Sequence, residues 1–196
     1  MSQELEIEFK NLLTPSEFEQ LIAHFHVKPE AFHLQHNHYF DTKEQALRHL
    51  KSGLRIRQTP TKNEVTLKEP TNGIALTETT DSLTLDEAEA ILQGTQDFPE
   101  GDVKNRLQSL HIDSKELQKI GTLSTNRAEI KYKGGLLVFD HSQYADQEDY
   151  ELEYEVQDEV SGRFIFQELL QSLHIPIRPA KKKLARFMQA IQNKKE

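Results

Sequence analysis

Apolar and charged positions alternate from the start of the chain. Leu5, Ile7 and Phe9 fall on one phase of residues 4–11, and Glu4, Glu6, Glu8 and Lys10 on the other. A period of two predicts a strand with one covered and one polar face. The same alternation marks Gly53–Gln58, Glu64–Lys68, and residues 122–132, 136–144 and 150–156; residues 32–41 and 74–80 are further strand candidates. Pro60 to Asn63 reads as a turn between two of these strands, and Lys133-Gly134-Gly135 as a hairpin turn between two others. Helical signals lie between the strands. Thr14-Pro15-Ser16-Glu17 is a capping box with proline at the first helical position, and Phe18, Leu21, Ile22 and Phe25 then share a face. Thr84 and Glu87 open a second such helix, running to about Leu92 with Gly94 as its stop. Helical spacing also covers residues 102–110, Phe164–Leu173 and Lys183–Gln192. Lys43–Leu50 fits a helical turn or a loop, and Lys115–Ile120 one further helical turn. No repeat, low-complexity tract or linker divides the chain, so the pattern predicts one α+β domain over residues 1–196, rich in antiparallel strands.

The polar faces are sorted by sign. Glu4, Glu6 and Glu8 precede Lys10 on the first strand; Arg55 and Arg57 oppose Leu54 and Ile56; Arg127, Glu129 and Lys131 oppose Ala128, Ile130 and Tyr132; Glu151, Glu153 and Glu155 oppose Leu152, Tyr154 and Val156. A sheet with one solvated face accounts for mixed charge on any single strand. Rows of like charge repel unless something opposite lies between them. A metal cation would answer the glutamates and a polyanion the arginines and lysines. A closed barrel of about eight strands can hold both when its inner face is polar, with the amphipathic helices covering the apolar outer face.

Composition narrows the partners. Formal net charge is −8, which argues against general nucleic-acid or anionic-membrane binding. The chain has no cysteine, which removes disulfides, thiolate chemistry and Cys-based zinc sites and suits a cytoplasmic protein. The N-terminus lacks the basic and apolar regions of a signal peptide, and no apolar run approaches the roughly 20 residues that span a bilayer. His33, His36 and His38 raise a zinc site, but no Cys or nearby carboxylate completes a ligand set, and structural or surface roles explain them better. The run Lys181-Lys182-Lys183 reads as a solvated segment, of which only Lys183 gains from its surroundings.

Glu6-x-Glu8-x-Lys10 near the N-terminus resembles the signature of the CYTH superfamily, the triphosphate tunnel metalloenzymes. Tyr39-Phe40-Asp41-Thr42, Leu54-Arg55-Ile56-Arg57, Thr66-Leu67-Lys68, Arg127, Asp140, Glu151-x-Glu153-x-Glu155 and Lys183-Leu184-Ala185-Arg186-Phe187 follow in the family's order, so the resemblance spans nearly the whole chain. It implies an antiparallel eight-stranded β-barrel, a triphosphate tunnel, with helices packed outside. By position, Lys10, Arg55, Arg57, Lys68, Arg127 and Lys183 resemble the phosphate ligands. Glu6, Glu8, Asp140, Glu151 and Glu153 resemble ligands of Mg²⁺ or Mn²⁺, with Glu155 joining them or facing a lysine. Lys131 and Lys181 have no secure place in this set. The chain departs from many members at Ala75-Leu76-Thr77-Glu78-Thr79-Thr80, where an Arg and two alternating acids are usual and only Glu78 remains.

The implied activity is metal-assisted hydrolysis of a phosphoanhydride in inorganic tripolyphosphate or a small organic triphosphate, with Lys10 or Lys68 assisting proton movement if cationic neighbours depress its pKa. Two alternatives stay open at this stage. One is a class IV-type adenylate cyclase, for which no residue forces an adenine pocket. The other is a non-catalytic polyphosphate or nucleotide sensor, which the departure near Thr77 keeps open. Oligomeric state is not legible in the sequence.

Overall fold

The computed structural model describes residues 3–193 of the chain. Eight antiparallel strands close into one barrel in the order β1-β5-β4-β3-β2-β6-β7-β8: β1 Gln3–Leu13, β2 His33–Asp41, β3 Gly53–Gln58, β4 Asn63–Pro70, β5 Leu76–Leu83, β6 Gln118–Tyr132, β7 Gly135–Tyr144 and β8 Gln147–Val156. Closure pairs every strand on both sides, which satisfies the ladder groups that an open sheet leaves at its edges. The helices are α1 Pro15–His24, α2 Ala46–His49, α3 Leu85–Leu92, α4 Asp102–Ser109, α5 Glu159–Ser172 and α6 Lys183–Asn193.

The chain divides into two compact halves, one built on Gln35–Leu123 and the other on Glu6–Leu34 with Ser124 onward. In the first half, Phe40, Leu54, Ile56, Val65 and Leu67 of the strands pack with Leu47 of α2, Ala88 and Ile91 of α3, and Val103 and Leu107 of α4. The second half repeats the plan: Ala128, Leu137, Phe139, Leu152 and Tyr154 pack under Phe18 and Leu21 of α1 and Phe166, Leu169 and Leu170 of α5. Each half therefore hides the apolar phase of its strands beneath its own helices. The charged phase is left on the opposite face of the wall.

Both capping boxes form as expected, Thr14 with Glu17 and Thr84 with Glu87. Gly94 follows α3 at φ +71°, the left-handed conformation that makes glycine a natural stop. The structure refines or shifts several boundaries of the sequence reading. The segment 43–50 holds only the short helix α2, tied down by Asp41, whose carboxylate accepts the backbone N–H groups of Thr42, Leu47 and Arg48. The turn expected over Lys115–Ile120 is a 3₁₀ turn at Ser114–Glu116, and Ile120 already belongs to β6. Strand β8 begins at Gln147, directly after a tight turn in which Ala145 and Asp146 both take positive φ. Helix α5 starts at Glu159, five residues before the expected Phe164, with Asp158 as its N-cap. Leu5, expected on a covered face, is 63% exposed.

Candidate active site

The register of the second half sets its charges side by side. Lys10 of β1 lies opposite Glu153 of β8, Glu8 opposite Glu155, and Leu12 opposite Glu151. Asp140 of β7 is opposite Glu151, and Arg127 of β6 is opposite Asp140. These side chains are buried: Asp140 and Glu151 are 0% exposed, Glu153 4% and Arg127 7%. Buried charges survive only when paired, and here they are.

The Arg127 guanidinium donates from Nε to Asp140 Oδ1 at 2.7 Å, and from Nη2 to Asp140 Oδ2 at 2.5 Å and Glu153 Oε2 at 2.9 Å. Lys183, from the first turn of α6, donates to Asp140 Oδ2 and reaches Glu153 Oε1 at 3.3 Å. The Lys10 ammonium lies 2.5 Å from Glu8 Oε1, 3.7 Å from Glu153 Oε1 and 3.8 Å from Glu151 Oε1. Arg186, one turn along α6, donates to Glu151 Oε2 and, from Nε, to Asp149 Oδ2 at 3.0 Å. The glutamate row of β8 is thus interleaved with cations rather than left self-repelling.

The pairing sets the protonation states. Burial works against the charged form of Lys10, but Glu153, Glu8 and Glu151 outweigh it and hold its pKa above the usual lysine value. The cationic neighbourhood expected to depress the pKa of Lys10 is therefore carboxylate instead. Lys183 is likewise desolvated, and likewise held protonated by Asp140, Glu153 and Glu151. Burial opposes ionisation of Asp140 as well, yet Arg127 and Lys183 keep its carboxyl below its ordinary value. Glu153 is pushed well down against the same burial by Lys183, Lys10 and Arg127. Glu151 goes the other way: burial, with the charge of Glu153 adding to it, pushes its carboxyl up to about 8 against the pull of Lys183 and Lys10.

Among the described residues, no group of three or more His, Asp or Glu side chains is arranged to hold a metal ion by itself. The carboxylates of this cluster are turned onto lysine and arginine. The donor set nevertheless suits a hard divalent cation. Oxygens of Glu8, Glu151 and Glu153 already converge on one positive charge, the Lys10 ammonium, and Glu151 Oε1 is buried without a hydrogen-bond partner. Glu6 shares the face of Glu8 one pleat nearer the N-terminus.

The first half carries the other predicted side chains on the face away from its helices. Arg55 is opposite Thr66, Arg57 opposite Glu64, and Lys68 opposite Glu78. Arg57 donates from Nε to Asn37 Oδ1 at 3.0 Å and lies 4.0 Å from Glu64; Lys68 is ion-paired with Glu78. At the departure in β5, Thr80 exchanges a hydroxyl hydrogen bond with Thr66 at 3.0 Å, so a hydroxyl pair stands beside Arg55. Of the β2 histidines, His38 is held by hydrogen bonds through both ring nitrogens, to Thr122 at 2.9 Å and Gln58 at 3.0 Å.

The structure brings Glu8, Lys10, Arg127, Asp140, Glu151, Glu153 and Lys183 together in one half, and Arg55, Arg57 and Lys68 on the inner face of the other. Two members of the second-half cluster were not singled out by the sequence reading. Asp149 lies one pleat before Glu151 on the same face, so extending the acidic alternation by two residues would have found it. Arg186 stood inside a quoted motif with no role attached.

A closed eight-stranded antiparallel barrel, with buried acids and bases interleaved on the face turned from its helices, is the architecture of a polyanion- and cation-binding tunnel. The chain belongs to the CYTH domain family, whose model matches residues 4–188. It is 44% identical over 187 residues to the Bacillus subtilis protein named "Putative triphosphatase YjbK", covering 95% of this chain and 96% of that one. A Bacillus halodurans crystal structure, described as a "putative adenylate cyclase", is 41% identical, covers 95% of this chain and 99% of the other, and superposes with a TM-score of 0.90. A Hippeastrum protein, described as a "putative adenylyl cyclase" with a dominant triphosphatase activity, shares the fold at TM-score 0.82, with 22% identity over 95% of each chain. No helix among the described residues is long and apolar enough to cross a membrane.

Proposed function

We propose that this chain is a metal-dependent triphosphatase that hydrolyses inorganic tripolyphosphate or a small organic triphosphate. The observation that carries the reading is the buried cluster of the second half. There Lys10, Arg127, Lys183 and Arg186 meet Glu8, Asp140, Asp149, Glu151 and Glu153. Such a cluster is costly to desolvate and gains little stability over apolar packing. A ligand that needs both signs of charge explains its presence. The triphosphatase name of the 44% identical relative supports the same conclusion.

In this reading Lys10, Arg127 and Lys183, with Arg55, Arg57 and Lys68 of the first half, contact phosphate oxygens. The arginines do so through paired N–H donors suited to a phosphate edge. Glu6, Glu8, Asp140, Glu151 and Glu153 hold Mg²⁺ or Mn²⁺. When bound, that ion polarises phosphoryl oxygens and lowers the pKa of water at the site. The residues do the rest. The lysines and arginines neutralise charge on the terminal phosphoryl group as water attacks phosphorus and the P–O–P bridge breaks. Lys10, kept protonated by its carboxylates, is suited to donate to the departing phosphate oxygen. Lys68, set against Glu78 rather than a group of acids, is the other candidate for moving a proton. Residues 1–196 act as a single CYTH domain, a reading supported by a family match over residues 4–188. We place the protein in the cytoplasm, acting on a free small molecule rather than on nucleic acid, in keeping with its net charge of −8.

The test is a turnover screen over tripolyphosphate, thiamine triphosphate and nucleoside triphosphates, each with Mg²⁺ and with Mn²⁺, with Glu153→Gln as the inactive control. Release of phosphate from at least one of these is expected. Cyclic AMP and pyrophosphate from ATP would instead make the protein a cyclase. Tight binding without turnover under both metals would make it a sensor.

A further inference from the structure

We propose that Arg186 is a positioning residue for the metal-binding carboxylates, fixing Glu151 so that one oxygen is presented to the cation. The inference rests on the metal-site reading above. It begins with an asymmetry in Glu151. The side chain is fully buried, yet its two oxygens are treated differently. Oε2 accepts from the Arg186 guanidinium, while Oε1 accepts no hydrogen bond and lies 3.8 Å from the Lys10 ammonium, where Glu8 and Glu153 oxygens also converge. No lysine, arginine or hydroxyl donor is spent on that buried oxygen, so it is the one left available to a cation.

Arg186 is itself held from several sides. Its Nε donates to Asp149 Oδ2 at 3.0 Å, and its Nη1 donates to the Lys181 carbonyl at 2.5 Å. Asp149 in turn accepts from the Tyr144 hydroxyl at 2.5 Å. The next residue, Phe187, is 1% exposed and packs edge-on against Tyr144, ring centres 6.1 Å apart. Tyr144, Asp149, Arg186 and Glu151 thus form one chain of donors and acceptors, anchored in packing at one end and ending at a bare oxygen at the other. Only a planar fork can serve Asp149 and Glu151 together, which a lysine ammonium on a flexible stem cannot reproduce. Groups that orient a ligating carboxylate without touching the metal are ordinarily worth 10- to 100-fold in metal affinity.

The experiment is Mn²⁺ binding by titration calorimetry without substrate, on the full chain, for wild type, Arg186→Gln, Arg186→Lys and Thr84→Ala, with the Mn²⁺ dependence of tripolyphosphate turnover alongside. Arg186→Gln is expected to raise the Mn²⁺ Kd about 10- to 100-fold. Turnover should then need correspondingly more Mn²⁺, while the KM for tripolyphosphate at saturating Mn²⁺ changes little. Thr84→Ala, which removes the N-cap of α3 in the other half, should lower Tm and leave the Mn²⁺ Kd within about threefold. Arg186→Lys should recover part of the loss, and it carries the test if Arg186→Gln does not fold. An Arg186 variant binding Mn²⁺ like wild type overturns the proposal, as does Thr84→Ala weakening Mn²⁺ as much as Arg186→Gln. If wild type binds Mn²⁺ and turns over substrate while the variants match it, only the positioning role fails. If wild type binds no Mn²⁺, the metal reading itself has failed.

Discussion

Glu153 is the residue on which the cluster turns. Arg127, Lys183 and Lys10 lie 2.9, 3.3 and 3.7 Å from its carboxylate. Removing one partner from a buried ion pair costs about 3–5 kcal/mol, because the remaining charges stay desolvated. Glu153→Gln should therefore lower stability by about 3 kcal/mol in the absence of ligand, read by chemical denaturation. Added tripolyphosphate should raise the Tm of this variant by more than that of wild type, since the anion supplies the missing negative charge. A second residue-scale effect belongs to His38. Burial lowers its pKa from 6.5 to about 4, with Lys119 and His36 acting in the same direction and the bond to Gln58 partly opposing them. Between those values the unfolded chain binds the proton and the folded one does not, so stability rises with pH in this window. It is intact above about pH 6.5 and falls as the pH drops toward 4, by at most about 3 kcal/mol from this group. Denaturation midpoints for wild type and His38→Gln should diverge between pH 7.5 and pH 5, the wild type losing more.

Local chemistry decided which elements could be read in advance. The boxes Thr14/Glu17 and Thr84/Glu87 were legible because cap and partner are three residues apart. Thr84→Ala should cost about 1 kcal/mol. Helix α4 has no such local sign. Its N-terminus is capped by Asp81 of β5, which accepts the N–H groups of Asp102 at 3.1 Å and Val103 at 2.8 Å. A Cβ on Gly101, the residue before that helix, would stand 2.4 Å from the same carboxylate. Asp81→Ala should cost about 1–2 kcal/mol and selectively raise amide exchange in α4, as hydrogen exchange would show. The start of α5 was misplaced because Val160 and Phe164, at 80% and 67% exposure, interrupt the apolar stripe from which a helix is recognised. Arg186 escaped for a related reason. Its sequence neighbours say that it is helical, but only the docking of α6 brings it to Glu151.

Across the whole molecule, alternation foretold the strands and their charged face, and the family resemblance supplied a barrel. The strand order did not lie in the pattern itself, because alternation says which face a residue takes and nothing about which strand pairs with which. Interleaving of the acids with Lys10, Arg127, Lys183 and Arg186 offsets much of the electrostatic strain that a row of glutamates suggests in isolation. Ligand stabilisation should come from linkage rather than from relief of repulsion. Mg²⁺ with tripolyphosphate at 100 times Kd should add about 2.7 kcal/mol, visible as a rise in Tm, with either component alone giving less.

The pairing of β1 with β8 bears on how the chain is made. Residues Ile7–Leu13 pair with Tyr150–Val156, so the first strand waits for the last. At about 5–20 residues per second, a ribosome takes on the order of ten seconds or more to cover that interval. Throughout it, Phe9 and the ladder groups of β1 have no β8 to receive them. The nascent protein is therefore an open sheet with a free edge until β8 has been made, and closing it is a long-range and slow event. Its vulnerability to aggregation is concentrated in that interval and ends when the two termini of the barrel meet.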